Sequence, residues 1–278
     1  MNKVQFEKAL REYIQSSPDN FVTAETALRP DLAGMRIFDE PLIGYAYAAD
    51  PYFAEAKKPE IIGSHFMSPQ EWLEGAKTVI SVFLPICEQV RKANRKDMSW
   101  PADEWLHARI GGQTFQNQIS AFAENLLKTQ GFSALAPAID SRISRGLSTI
   151  SDKTDEAYYT SNWSERHIAY AAGLGTFGLS KGLITKKGVA GRYLSIITSA
   201  VFEPDKRPYS GVYDYCIFCD ACAKNCPVNA ITKEKGKLHY PCSVFLDNTR
   251  EKCAPYYGCG KCQVKVPCED KAPNIKGL

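Results

Sequence analysis

Nine of the ten cysteines in this 278-residue chain lie between Cys216 and Cys268. A disulfide framework would spread its cysteines over a small secreted domain, whereas clustering at short, regular spacings is typical of metal ligands. The chain is also long enough, with 44% hydrophobic residues, to bury a core without disulfide support. The cysteine-rich end therefore predicts a metal centre attached to a folded body.

The spacing of the first cysteines indicates which metal centre this is. Cys216, Cys219, Cys222 and Cys226 are separated by two, two and three residues, and Pro227 follows directly. This is the bacterial ferredoxin run, in which three thiolates hold one cubane and the fourth cysteine binds a second cluster. A structural zinc site, which is the alternative, needs only four ligands, usually in two closely spaced pairs. The run therefore favours iron–sulfur clusters over zinc.

The second half of a two-cluster ferredoxin would repeat this run, but here the repeat is altered. Where a second run would end in Cys-Pro, the chain has Val266-Pro267, and a cysteine follows. Two cubanes need eight thiolates, so one of the nine cysteines is spare. Cys253 is the spare residue in our assignment, and its exchange with Cys242 is the main alternative. We assign Cys216, Cys219, Cys222 and Cys268 to one cluster, and Cys226, Cys242, Cys259 and Cys262 to the other.

The remaining candidate ligands are isolated in the sequence. Cys87 stands far upstream, beside the proline that ends an apolar run, and is expected to be a small buried residue. The four histidines, His65, His107, His167 and His239, are scattered and are expected to be structural. His167 is the histidine to test first, because it lies directly before a glycine-rich segment.

Charge and hydropathy restrict the location and the partners. Residues 206–278 contain 12 Lys and Arg against 7 Asp and Glu, a net charge of +5, whereas residues 1–205 contain 22 against 24, a net charge of −2. The basic end would help to offset anionic thiolate clusters, but it is too weakly charged to predict a nucleic-acid surface. The N-terminal residues predict an amphipathic helix rather than a signal peptide, and no apolar run is long enough to span a membrane. We therefore expect a cytoplasmic protein without membrane contact.

Helix and strand patterns alternate along the first 205 residues. Ser68 and Glu71 form a capping box at the start of a short helix that Gly75 ends. The polar residues 88–104 predict a surface loop. The alternation predicts an α+β fold, with a body over residues 1–205 and a small ferredoxin-like module over residues 206–278. Apolar spacing predicts helices over 3–15, 103–129 and 164–172, and strands over 78–84, 183–186 and 193–201.

A glycine-rich stretch ahead of the ferredoxin run makes the sequence recognisable. In order and spacing, the combination resembles the epoxyqueuosine reductase and reductive dehalogenase superfamily, of which the chain looks like a short, divergent member. The resemblance covers residues 160–268 and, more loosely, the predicted strand at 78–84 and helix at 103–129. The residues that carry it are Glu165-Arg166, Ala169, Ala172-Gly173-Leu174-Gly175, Gly178, Gly182-Leu183-Ile184 and Gly191-Arg192, followed by the cysteine run.

The resemblance implies a fold, an activity and a set of cofactors. The fold is a nitroreductase-like α/β core that binds cobalamin, followed by a module with two 4Fe–4S clusters. The activity is that of a reductase, in which an electron donor such as a ferredoxin or flavodoxin supplies electrons through the clusters to a corrinoid. Glycines at the corrinoid would allow the backbone to approach a flat ring closely. The implied corrinoid contacts are Gly175, Thr176, Phe177, Gly178, Leu179, Ser180, Arg192 and Tyr193.

A proton donor is also implied by the resemblance. Epoxyqueuosine reductases carry an aspartate six residues before the position of Glu165, where this chain has Tyr159. Reductive dehalogenases use a tyrosine in the corresponding region, so the resemblance implies a catalytic Tyr159. A phenol with a pKa near 10 becomes a useful acid only if a cation or hydrogen bonds stabilise the phenolate.

Two departures from the superfamily bear on the substrate. The chain lacks the C-terminal extension with which epoxyqueuosine reductases hold tRNA, and it lacks the twin-arginine signal of respiratory dehalogenases. Both argue for a small-molecule substrate that is neither tRNA nor an organohalide. The alternative function is an electron-transfer protein that binds no corrinoid and serves a partner enzyme. A cofactor cavity walled by residues 174–194 would favour the reductase, and a filled core there would favour the electron carrier.

Overall fold

The computed structural model describes residues 1–147 and 159–274. The helices are α1 (Lys3–Ser16), α2 (Pro51–Glu55), α3 (Pro69–Trp72), α4 (Glu88–Asn94), α5 (Asp103–Lys128), α6 (Glu165–Ala171), α7 (Ala221–Lys224) and α8 (His239–Cys253). The strands are β1 (Leu42–Tyr47), β2 (Thr78–Pro85), β3 (Ala134–Leu135), β4 (Arg145–Leu147), β5 (Tyr159–Ser161), β6 (Gly175–Phe177), β7 (Leu183–Thr185), β8 (Gly191–Thr198), β9 (Ile231–Thr232) and β10 (Gly236–Lys237). Within these ranges no helix combines the length and the apolar character that crossing a membrane requires.

The centre of the fold is a four-stranded sheet with the order β1-β2-β8-β3. All its pairings are antiparallel, and the whole of β2 is buried, as expected for a strand covered on both faces. Alternate side chains point to opposite faces. Ile80 and Val82 therefore pack with α1 and α5, whereas Val79 packs with Trp163 and α6 on the other side. The result is a mixed helix-and-strand architecture of the α+β class.

Most of the elements predicted from the sequence are confirmed. Helices α1, α5 and α6 and strands β2, β7 and β8 form within a few residues of the expected bounds. The Ser68 amide donates to the Glu71 carboxylate at 2.6 Å, which completes the capping box, and α3 ends before Gly75. Cys87 is buried as expected. The nitroreductase-like character of the core stays a prediction.

The surface loop predicted over residues 88–104 is wrong, because its first half forms helix α4. The buried face of α4 contains Val90 and Ala93, but also Arg91 and Asn94. Half of that face is polar, so it lacks the apolar spacing by which a helix is recognised in a sequence. Besides nearby partners at Ile86 and Ala102, these polar side chains have partners in the cysteine-rich end, more than 160 residues away.

The cysteine-rich end packs directly on the body. The Phe177 amide donates to the Val212 carbonyl oxygen at 2.7 Å, and the Tyr209 hydroxyl donates to the Tyr170 carbonyl oxygen at 2.6 Å. The division at residue 205 therefore crosses a hydrogen-bonded contact, and it stays a prediction that the two parts are separate domains.

Candidate iron–sulfur centres and the adjacent recess

The first predicted set of cysteines surrounds one cavity. Cys216, Cys219, Cys222 and Cys268 line one small cavity, whose volume is about 380 Å³ when the space open to solvent is included. Burial raises the pKa of the Cys268 thiol to about 12, and negative charge at the other three cysteines adds to the rise. Four thiolates so close together repel one another, and a bound cationic iron core would relieve that repulsion.

Local backbone geometry brings these four thiols together. The loop from Cys216 to Cys222 turns sharply because Phe218 and Asp220 have left-handed φ angles of 48° and 59°. Cys268 reaches the same cavity from the far end of the chain. Its carbonyl oxygen accepts the Val189 amide at 2.8 Å, so the loop that carries Cys268 is fixed to the turn between β7 and β8.

Gly188, in that turn, shows how closely the loop is held. Its φ angle is +82°, and a Cβ atom there would lie 2.2 Å from the Glu269 carbonyl oxygen. Both the backbone conformation and the close approach require glycine. The glycine thus helps to place Cys268 at the cavity.

Two arginines, one in helix α4 and one directly after it, also hold the Cys268 loop. Glu269 is only 2% exposed, and its carboxylate accepts from Arg95 Nε at 2.9 Å and from Arg91 Nη1 at 3.3 Å. Arg91 also donates to Asp270 at 2.9 Å. The hydrogen bond to Glu269 raises the pKa of the Arg95 guanidinium, so that cation stays charged. These residues are not recognisable in the sequence, because the polar segment 88–104 predicts a loop.

The second predicted set lies beside the first. The pKa of the Cys262 thiol is raised by burial and further by negative charge at Cys242 and Cys226. Burial raises the pKa of Cys259 to about 12, and Cys262 and Cys242 add to that rise. Cys226, Cys242, Cys259 and Cys262 are therefore close enough to interact with one another.

Cys253 lies outside both sets. It follows Cys242 by eleven residues on α8, which places the two about 16 Å apart along the helix. Apart from burial, the groups that affect the pKa of Cys253 are Lys252 and Asp103, and no cysteine is among them. The geometry thus favours Cys242 over Cys253 as the fourth member of the second set.

The thiols in each set are spread around a space rather than gathered at one point. In residues 1–147 and 159–274 no three His, Cys, Asp or Glu side chains are arranged to hold a single metal ion. In a cubane each thiolate binds its own iron, so its four cysteines stand farther apart than the ligands of one ion. The donor set, which consists of thiols alone, suits iron–sulfur clusters.

A charged recess lies next to the second set. Arg166 is exposed and Lys237 is half-buried, yet protein atoms surround both side chains. We call this open space between them the recess. Arg166 donates to the Lys181 carbonyl oxygen at 2.6 Å. Burial alone would lower the pKa of Lys237, but negative charge at Cys262 and Cys242 outweighs burial and raises it. The recess is therefore cationic on the side that faces the thiols.

His239 joins this recess to the predicted catalytic tyrosine. Burial lowers the pKa of His239 to about 3, and the nearby charges of Lys181, Lys237 and Arg166 add to that effect, so the ring is neutral. Its Nδ1 atom accepts the Tyr159 backbone amide at 2.5 Å.

Tyr159 itself is 44% exposed, with its ring 5.5 Å from the His239 ring. Burial raises the pKa of the Tyr159 phenol, and negative charge at Cys242 adds to the rise. A hydrogen bond with Ser243 lowers the same pKa but does not outweigh burial. The structure thus brings Tyr159 to the second set of thiols. Its catalytic role stays a prediction.

Glu165 is an unpartnered acid at the start of α6. Neither carboxylate oxygen has a hydrogen-bond partner in the part of the chain that the structure describes. Burial raises the pKa of Glu165 to about 7, and the Ser195 hydroxyl and the Arg145 charge oppose the rise. The Glu165 carboxyl can therefore hold or release a proton near neutral pH.

Glu165→Gln is expected to stabilise the protein at alkaline pH. The pKa of Glu165 rises on folding from 4.5 to about 7. The protonated carboxyl therefore contributes stability that is fully present below pH 4.5 and is lost as the pH rises through about 7. Above pH 7 the free energy of unfolding of the variant should exceed that of the natural protein by up to about 3 kcal/mol. Urea unfolding at pH 5 and pH 8 measures the difference, and Glu12→Gln, at an exposed position, is the control. If the unfolding free energies of Glu165→Gln and the natural protein change equally with pH, the prediction is wrong.

The predicted corrinoid contacts fall into separate places. Gly178, Leu179 and Ser180 line the cavity of the first cysteine set. Thr176 Oγ1 accepts the Tyr215 amide at 2.9 Å, and the Phe177 ring lies 4.8 Å from the His167 ring. A Cβ atom at Gly175 would lie 2.0 Å from the Ile184 carbonyl oxygen, so β7 alone explains that glycine.

Arg192 and Tyr193 are bonded to the body. Arg192 donates to the Ala108 and Arg109 carbonyl oxygens at 3.3 and 2.5 Å, and Tyr193 donates to the Leu183 carbonyl oxygen at 2.7 Å. Burial and the Arg109 charge lower the pKa of Arg192 to about 9. These bonds explain both residues without a cofactor. Their corrinoid contacts stay predictions.

An open crevice lies outside both cysteine sets. Its volume, including the space open to solvent, is about 1560 Å³, and Leu174 and Lys186 are the only residues of the range 174–194 that line it. The crevice therefore matches the expected cofactor cavity only at these two residues.

Comparison with known proteins extends these findings. The model of the 4Fe–4S binding domain matches residues 211–232. Tetrachloroethene reductive dehalogenases from Desulfitobacterium hafniense and Dehalobacter restrictus are 41% identical over 69 residues, which is 24% of this chain and 12% of theirs. The chain thus spans about an eighth of the length of these relatives.

Solved structures match over much more of the chain. Epoxyqueuosine reductase from Bacillus subtilis has a TM-score of 0.51 at 19% identity, over 96% of this chain and 66% of that one. The enzyme from Streptococcus thermophilus scores 0.51 at 17% identity, over 98% of this chain and 69% of that one. A catabolic reductive dehalogenase bound to 3-bromo-4-hydroxybenzoic acid scores 0.51 at 14% identity, over 83% and 30%. The predicted resemblance is confirmed: the chain shares the fold of epoxyqueuosine reductases and reductive dehalogenases and carries a 4Fe–4S binding domain.

Proposed function

We propose that this chain is an iron–sulfur reductase that passes electrons through two 4Fe–4S clusters to a site beside the second cluster. The observation that carries the proposal is the convergence of eight thiols in two neighbouring sets, the second next to the charged recess of Arg166, Lys237 and His239. The first cluster would be held by Cys216, Cys219, Cys222 and Cys268, and the second by Cys226, Cys242, Cys259 and Cys262. Both the fold and the 4Fe–4S binding domain support a reductase, since the proteins with this fold named above are reductases.

Electrons would enter through the first cluster. Cys219 is exposed, and its neighbours Ile217 and Phe218 are 46% and 45% exposed. A donor protein such as a ferredoxin or flavodoxin can therefore approach this cluster closely. The second cluster is more enclosed and faces the recess, so the substrate, which we propose to be a small molecule, would be reduced there.

We place cobalamin in the recess. The recess offers donors from Arg166 and Lys237, which suits a corrinoid because its amide side chains carry acceptor oxygens. When bound, the corrinoid supplies a cobalt that takes up electrons and reduces the substrate. The contacts at residues 175–180, Arg192 and Tyr193 are proposed from the family resemblance alone, since their bonds within the chain do not gather them at the recess.

Tyr159 is the proposed proton donor. His239 fixes its backbone, and the cation of Lys237 on the same side of the recess would stabilise the phenolate that remains after the proton has moved to the substrate. Tyr159→Phe keeps the ring and removes that proton, so turnover should fall about a hundredfold or more. Turnover equal to that of the natural protein would exclude this role for Tyr159.

Anaerobic reconstitution with iron and sulfide tests the function. We expect ~8 iron atoms per chain, four for each cubane, and electron paramagnetic resonance of two reduced clusters. Added cobalamin should co-purify and change its absorbance spectrum upon reduction through the clusters. Eight irons without cobalamin binding would instead establish the electron carrier, and a chain that binds zinc and no cluster would overturn both.

A further inference from the structure

Lys261 is a fully buried cation in the second cysteine set. It lies between Cys259 and Cys262, and its exposed fraction is 0%. Its ammonium donates to the Asn94 carbonyl oxygen at 2.8 Å and to Asn94 Oδ1 at 2.7 Å. Asn94 Nδ2 in turn donates to the Cys259 carbonyl oxygen at 3.0 Å. Helix α4 thus holds both the lysine and the loop that carries two proposed ligands.

Both oxygen atoms that accept from this ammonium belong to Asn94 and are neutral. No carboxylate forms a salt bridge with Lys261 within residues 1–147 and 159–274. The nearest acid that interacts with it is Asp97, which is exposed and already accepts the Ser99 amide at 2.7 Å. A buried charge without a counter-charge is strongly unfavourable, so an anion beside Lys261 would stabilise the fold.

The proposed second cluster supplies that anion. A cubane with four thiolate ligands is negatively charged, and net charge and hydrogen bonding set its reduction potential. Cys259 and Cys262 flank Lys261 in the sequence, and Asn94, which holds the ammonium, also bonds the Cys259 carbonyl oxygen, so we expect the ammonium to act on this cluster more than on the first. Burial removes the water that would screen the interaction.

We infer that Lys261 is a positioning residue that neutralises part of the charge of the second cluster and raises its reduction potential. The inference rests on the proposed pair of clusters. Raising the potential of the second cluster makes electron transfer to it from the first cluster more favourable. Lys237 faces the same thiols from β10, but its side chain stays in contact with solvent, so its charge is screened more strongly.

Redox titration of the reconstituted protein tests this inference, with electron paramagnetic resonance as the readout. In Lys261→Met, one cluster should shift to a more negative midpoint potential while the other stays in place. The matched control is Lys265→Met, which removes the same charge from an exposed position on the neighbouring turn and should shift neither cluster appreciably.

A second variant tests the inference if Lys261→Met fails to bind the second cluster. Asn94→Asp keeps the ammonium and adds a negative charge against it, so the second cluster should again become harder to reduce. Unchanged potentials in a Lys261→Met or Asn94→Asp protein that carries both clusters would overturn the inference and leave the proposed function intact. Natural protein that binds only one cluster would instead overturn the proposed function.

Discussion

Replacing Cys268 with alanine should remove one of the two clusters and leave the other. Cys268 is the only member of the first set that comes from the far end of the chain, so the loop from Cys216 to Cys222 retains three ligands without it. A cubane with one open corner is labile, whereas the second set keeps all four thiols. We expect iron to fall from ~8 to ~4 atoms per chain, with one reduced-cluster signal lost.

Cys253→Ala is the matched control for this experiment. It also removes a half-buried thiol from the cysteine-rich end, but this thiol lies about 16 Å from Cys242 along α8 and outside both sets. The Cys253 variant should retain all its iron. Two intact clusters in Cys268→Ala, or the loss of one in Cys253→Ala, would refute the ligand assignment.

Glu269→Gln should destabilise the protein strongly. The Glu269 carboxylate is buried and is shared by Arg91 and Arg95, so the neutral amide leaves buried positive charge without its partner. Removing one member of a buried ion pair costs about 3 to 5 kcal/mol in the free energy of unfolding. Because the same carboxylate fixes the loop of Cys268, iron in the first cluster should fall as well.

Asp270→Asn separates this effect from a general loss of charge. Asp270 receives a hydrogen bond from the same Arg91, but its side chain is 52% exposed. An exposed pair of this kind contributes less than about 1 kcal/mol. Urea unfolding under anaerobic conditions and iron analysis measure both variants. Equal losses of unfolding free energy and of iron in the two variants would contradict the prediction that the buried Glu269 carboxylate contributes more than the exposed Asp270 carboxylate.

The cysteine sets can be proposed from the sequence because iron ligation is largely a local matter, and the assignment of ligands stays a prediction. The spacing of Cys216, Cys219 and Cys222 places three thiols on one loop, and the count of thiolates points to a distant fourth. The structure brings Cys268 to that loop. The choice of Cys242 over Cys253 also agrees with the geometry, since one helix separates the two cysteines.

Helix α4 could not be predicted, because half of its buried side chains are polar. Their burial is explained by hydrogen bonds to residues that are distant in the sequence. Arg91 in isolation suggests a surface, and Asn94 suggests the end of a helix. The glycines show a further limit: Gly175 is predicted to contact a cofactor, yet a close approach of the chain to itself already requires a glycine there. A pattern of glycines indicates close packing and does not identify the packing partner.

In the sequence, Lys261 is distinguished only by its position between two cysteines. Such a lysine is usually solvated, and only the three-dimensional fold shows that its ammonium is buried against Asn94. The recess of Arg166 and Lys237 likewise assembles residues from α6 and β10 that the sequence separates by some seventy positions.

Helix α4 contacts the loops of both cysteine sets, through Glu269 and through Cys259 and Lys261. Clusters that bind only to the folded chain would stabilise it by mass action, and α4 would transmit that stabilisation to the central sheet. Iron supply would then control the lifetime of the whole polypeptide. In iron-starved cells, chains without clusters would open more often, and proteases would remove them before they could accumulate as inactive enzyme.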